Sequence, residues 1–118
     1  MDKFIIVRTQ FEGFHCWSDA PEEVKFLRDT HRHLFNVELR ISVDHNDREL
    51  EFFMVKKRLD NIIKWYIELN GTNLGSCEMM GESFIKELTE LYGNRYYQIK
   101  IFEDNENGGE VVKEKIIC

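Results

Sequence analysis

The strictest pattern in the chain runs from His31 to Asp44. Its odd positions read His31, His33, Phe35, Val37, Leu39, Ile41 and Val43, while its even positions, Arg32 to Asp44, are nearly all polar. Side chains at i and i+2 share a face only in a strand, so residues 30 to 44 read as a strand with one apolar face. Residues 4 to 15, rich in Phe, Ile, Val and Thr, read as a strand before it, closed by His15. Residues 16 to 29 read as a loop, with a short helical turn after Pro21. His45 to Arg48 has the composition of a hairpin turn, and Glu49 to Phe53 reads as a short strand or extended lead-in.

The period then changes. Val55, Leu59, Ile62, Ile63 and Tyr66 recur at helical spacing. Asn70 to Gly75 stops that helix, and Ser76 can cap the next, with Glu78 and Glu82 near its positive end. Met80, Phe84, Leu88, Leu91 and Tyr92 form the stripe of this second helix, and Gly93-Asn94 ends it. Residues 95 to 103 return to strand, with Tyr97, Ile99, Ile101 and Glu103 on one face; a turn at 105 to 109 precedes a final strand, Val111 to Ile117. Strand–strand–helix–helix–strand–strand implies an α+β fold: an antiparallel sheet with two helices covering one face.

Residues 1–118 fit a single domain by length. A net charge of −6 argues against a broad nucleic-acid surface, which needs a basic footprint. No apolar run is long enough to span a membrane, and the N-terminus reads as a strand rather than a signal peptide. Three cysteines, Cys16, Cys77 and Cys118, match no zinc-knuckle or disulfide spacing, and an odd count fits a reducing, cytoplasmic setting.

The alternation places His31 and His33 side by side at the start of an apolar face. Two imidazoles are costly there unless something binds them. A strand rise of about 3.3 Å per residue sets the pair about 7 Å apart at the backbone, close enough to converge on one ion. An antiparallel partner strand ending at His15 brings a third ring over. Three protein ligands and one open position describe catalytic zinc. The competing reading is a set of hydrogen-bonded core histidines. Glu103 stands where alternation calls for another hydrophobe. A carboxylate there can accept two N–H groups from a planar heterocycle, or simply turn to solvent.

Phe11-x-x-x-His15 followed by His31-Arg32-His33-Leu34-Phe35 resembles the Phe-x-x-x-His and His-Gly-His-x-Tyr/Phe motifs of the 6-pyruvoyl-tetrahydropterin synthase and 6-carboxytetrahydropterin synthase family. Glu51-Phe52, Ser76-Cys77-Glu78 and Ile101-Phe102-Glu103 resemble further family motifs in the same order. The resemblance implies a tunnelling fold, or T-fold, whose subunits join sheets into a barrel as trimers or hexamers, with sites at subunit interfaces. It implies Zn²⁺ on His15, His31 and His33, and a pterin or purine-like ring held by Glu103 with help from Ser76, Cys77 and Glu78.

The chain departs from the family at three places, one of them Arg32, which stands where the His-Gly-His motif has its glycine. The cysteine expected a few residues before His-x-His is missing from Lys25 to Thr30, and the family's Asp-His pair falls on Asn70-Gly71. Some relatives use a carboxylate instead, so Asp29 is the chosen candidate for proton acceptor, with Glu22 and Glu23 in the same loop as alternatives that spacing does not separate from it. Lys25, Arg28 and Arg32 are candidates for holding phosphate. The expected function is a tetrahydropterin-synthase-like protein. It is either a zinc-dependent lyase acting on a dihydroneopterin triphosphate-like substrate, or a protein without catalysis that sequesters or senses a nucleotide-derived small molecule.

Overall fold

The computed structural model describes residues 1–117. Strands β1 (Lys3–His15) and β2 (His31–Val43) come first. Helices α1 (Phe52–Asn70) and α2 (Cys77–Tyr92) follow, and then strands β3 (Tyr97–Glu103) and β4 (Gly108–Lys113). The strands form one open antiparallel sheet in the order β1-β2-β3-β4. This is the α+β arrangement expected from the period changes.

The alternating face of β2 is the centre of the core. Phe35, Val37, Leu39 and Ile41 are buried, joined by Val7 from β1 and by Tyr97, Ile99 and Ile101 from β3. The helices cover this face, α1 over β1 and α2 over β3 and β4. The five residues of the expected α1 stripe are the five it buries. Truncating a fully buried member such as Leu39 to alanine should cost about 2–5 kcal/mol, the lost transfer energy plus a cavity. The other face of the sheet is polar. Arg8, Glu38 and Lys100 lie in register across three strands, with Glu38 paired to both cations.

Four local expectations need correction. Glu49 to Phe53 makes no strand: Glu51 is extended and leads into α1, which already includes Phe52 and Phe53, and the preceding turn joins a strand to a helix instead of closing a hairpin. The Glu51 carboxylate accepts the N–H groups of Phe53 and Met54 and so caps α1, whose first residue is Phe52. Leu91 points to solvent, while Cys77, Gly81 and Ile85 fill the buried face of α2. The last strand begins three residues earlier than its apolar run suggests, because Gly108 and Gly109 pair with Phe102 and Ile101. Ser76 does cap α2, accepting the Met79 N–H at 3.1 Å. Between β1 and β2, Glu22–Arg28 forms a 3₁₀ segment broken at Val24. Among the described residues no helix is long and apolar enough to cross a membrane.

Candidate metal centre

The antiparallel register sets His15 directly opposite His31, and Gly13 opposite His33. The three rings therefore meet on the helix-covered face, at the end of the sheet. Their centroids are 4.6 Å (His15–His31), 5.0 Å (His31–His33) and 5.2 Å (His15–His33) apart, all edge-on. Phe35 lies beneath, 5.5 Å from the His15 ring and 5.7 Å from that of His33. One nitrogen from each ring falls within 4.8 Å of the others. His15 is buried, and the other two rings are partly exposed.

Each ring is oriented through its Nδ1. His15 Nδ1 lies 2.7 Å from the Gly75 carbonyl, and His31 Nδ1 lies 2.8 Å from the Asp29 carbonyl. A carbonyl carries no proton, so in both cases Nδ1–H donates. His33 Nδ1 lies 2.7 Å from Asp104 Oδ2. This contact with His33, then the Leu34 N–H, holds the Asp104 carboxyl below the usual carboxylate range, so it is ionised and accepts. A neutral imidazole has one N–H and one bare nitrogen. In three neutral rings, three donated Nδ1 protons would leave three bare Nε2 lone pairs. Metal-binding histidines are held in this manner, with the second nitrogen given to a carbonyl or carboxylate.

Glu103 faces the same point. Its Oε2 is 3.1 Å from His15 Nε2, and its Oε1 is 3.7 Å from His33 Nε2. The buried His33 Nε2 has no hydrogen-bond partner among the described residues. Lone pairs facing lone pairs repel, and a buried acceptor without a donor is costly. The three histidines lie close enough to hold one ion, with the Glu103 carboxylate beside two of them, and imidazole donors suit a divalent cation such as zinc and fit the group that the resemblance implies.

The supporting turn explains two glycines. A Cβ on Gly13 would lie 2.4 Å from Leu74 Cδ1, so only a bare Cα lets the 71–76 segment rest on β1. Leu74 N–H then donates to the Phe14 carbonyl. Gly75, at φ +82°, turns the chain so that its carbonyl meets His15.

The remaining sequence-derived candidates divide. Cys77 is buried at the start of α2 near Glu103 and Glu78; burial first, then those carboxylates, push its thiol up to about 11, so it stays protonated at neutral pH. Glu78 lies against β4, where a Cβ on Gly109 would come 2.6 Å from its Oε1. Ser76 spends its hydroxyl on the helix cap. Asp29 orients His31 through its carbonyl, and its residue is exposed. Arg32 pairs with Glu12 at 2.9 Å, Arg28 with the Ala20 carbonyl and Glu22, and Lys25 with Glu22. Asn70 and Gly71, where the family's acid–imidazole pair would stand, finish α1. Asn70 Nδ2 donates to the Tyr66 carbonyl, and the Gly71 N–H donates to that of Ile67.

Sequence reasoning missed Asp104 and the two carbonyls. Asp104 had one signal: an Asp directly after a strand, where its φ of +53° suits a residue tolerant of left-handed backbone. No protein-family model matches the sequence, and no curated protein matches it.

Proposed function

We propose that this protein is a zinc-binding T-fold protein of the tetrahydropterin synthase type, which holds a pterin or purine-like molecule at a cleft completed by a second subunit. The observation that carries the reading is the trio of histidines, each with Nδ1 at a hydrogen-bond acceptor and one nitrogen from each ring within 4.8 Å of the others. The strand and helix order supports the fold assignment. So does the open sheet, whose outer edges on β1 and β4 are free to pair with neighbouring subunits into a barrel, as trimers or hexamers. A groove of about 460 Å³ lies between β1 and α1, lined by Phe11, Asp60 and Ile63 and away from the trio. A ring bound at the histidines would therefore take its second wall from a partner copy.

His15, His31 and His33 would hold the ion. Zinc bound there supplies a Lewis acid that polarises an oxygen on the ligand. Glu103 can accept two N–H groups of a flat heterocycle, with Glu78 and Cys77 beside it. Asp29, two residues before β2, would be the acid that takes up a proton. Phosphate binding by Arg28 or Arg32 would require breaking their present ion pairs.

A second reading, binding without turnover, is favoured by one observation. The positions of the family's proton relay, Asn70 and Gly71, serve the end of a helix, and neither carries a proton-transfer group.

Native mass spectrometry with elemental analysis of the purified protein tests the centre. One zinc per chain and an oligomeric mass are expected, with the zinc lost in His31→Ala. A wild-type protein that takes up no zinc from a micromolar excess overturns the proposal. Incubation with dihydroneopterin triphosphate separates the two readings: product formation favours the lyase, and unchanged recovery of a tightly bound ligand favours the binding protein.

A further inference from the structure

We propose that Glu103 is the fourth donor of the centre, so that in the ligand-free protein the ion is closed off by four side chains with no open position. The inference rests on the metal reading above and specifies its resting state.

The distances carry it. With bond lengths of about 2.0–2.1 Å to nitrogen and oxygen, two donors on a tetrahedral zinc stand about 3.3 Å apart. Glu103 Oε2 stands 3.1 Å from His15 Nε2, and Oε1 stands 3.7 Å from His33 Nε2. An ion pair between His15 and Glu103 explains only half of the contact. His15 Nδ1 already donates to the Gly75 carbonyl, so a donor on Nε2 would make the ring a cation. That added proton would satisfy one nitrogen only, leaving buried His33 Nε2 facing the other carboxylate oxygen with nothing between them. One divalent ion among the three rings, which lie close enough to share it, would satisfy both nitrogens and, with a swing of the Glu103 side chain toward His31, the carboxylate as well.

The backbone fixes Glu103 in this place. It stands opposite Phe35 in the β2–β3 register, on the face shared with Ile101, so its side chain emerges beside the rings. Its own N–H donates to the Asn107 carbonyl, and the next N–H donates to that of Leu34, which anchors the strand end on both sides. Three neutral imidazoles and one carboxylate lower the charge of a divalent site to +1, and four side-chain donors are the mark of a closed site. A heterocycle seeking Glu103 would then first have to draw it off the ion, and that departure is what would open a coordination position.

The test uses the full chain loaded with Co²⁺, whose visible absorption reports coordination number and donor type. The wild type should show the strong bands of a four-coordinate site, unchanged by added azide. Glu103→Gln should bind Co²⁺ more weakly by at least about tenfold, with a shifted spectrum that responds to azide. Glu103→Asp keeps the charge and loses one methylene of reach, so it should show the same spectral shift. An azide-sensitive wild-type spectrum overturns the proposal, as does an unchanged spectrum and affinity in Glu103→Gln. A wild type that takes up no Co²⁺ overturns the histidine centre as well, which separates the two failures. Far-ultraviolet circular dichroism of each variant confirms that the sheet is intact.

Discussion

The two ends of the sheet are built from similar polar groups and treat them in opposite ways. At the far end, where β2 finishes and β3 begins, Arg95 donates to Glu49, to the Ser42 carbonyl and to the Tyr92 carbonyl. Glu49 also accepts the N–H groups of Asp44 and His45, and the Ser42 hydroxyl accepts that of Tyr96. Donors there meet acceptors, and the network ties the β2–α1 connection to β3. At the histidine end the outward nitrogens are as carefully satisfied, but the inward ones face one another and a carboxylate. Polar groups that complete each other belong to the fold. Polar groups held in place yet left incomplete ask for something from outside.

The largest expected effect is at Asp104. If its carboxylate exists to orient His33, Asp104→Ala should weaken metal affinity about 10–100-fold while the protein stays folded, as read by chelator competition. An unchanged affinity would make Asp104 part of the turn alone and erase the contrast between the ends.

The next effect belongs to the far end. Glu49→Gln should lower the melting temperature and leave metal affinity alone. The Arg95 hydrogen bond, then the Asp44 N–H, hold the Glu49 carboxyl below its usual range. A group depressed in the folded state stabilises above its unfolded value and stops doing so as pH falls through its folded one. The melting difference between wild type and variant should thus be full at neutral pH and disappear in acid. A difference that persists in acid would mean that shape, not charge, matters at Glu49.

The smallest effect sharpens the boundary of the site. Asn70→Ala removes one hydrogen bond at the end of α1 and should cost about 1 kcal/mol or less, with metal binding unaltered. A large loss of metal or ligand binding would return Asn70 to the functional region.

Much of this contrast is written locally in the sequence, and its completion is not. Period two in β2 placed His31, His33 and Phe35 on one face, and strand pairing through a single loop brought His15 to them. Helical spacing gave the buried stripe of α1 in full. The strand reading of Glu49 to Phe53 failed because a short apolar run bordered by an acid has no period of its own, and Glu51 is an uncommon cap. Leu91 looked buried because it stands near a stripe, but the buried row of α2 steps from Phe84 through Leu88 to Tyr92 at i+4, which turns Leu91 to solvent. Arg95 and Glu49 are far apart in sequence, and nothing in either neighbourhood names the other. The carbonyls of Gly75 and Asp29 are harder still. Every residue has such an oxygen, so only the folded path of the chain shows which two hold imidazoles.

Since β1 ends on one histidine of the trio and β2 begins on another, the excursion from residue 16 to residue 30 departs from and returns to the same point. Its middle can change in length and composition without altering the register that aligns the rings, so long as the Asp29 carbonyl stays on His31 Nδ1. Trp17 and the acids after Pro21 ride on that excursion. Descendants of this chain could exchange the loop to accept new small molecules while inheriting the centre unchanged, a division of labour between a fixed anchor and a replaceable brim.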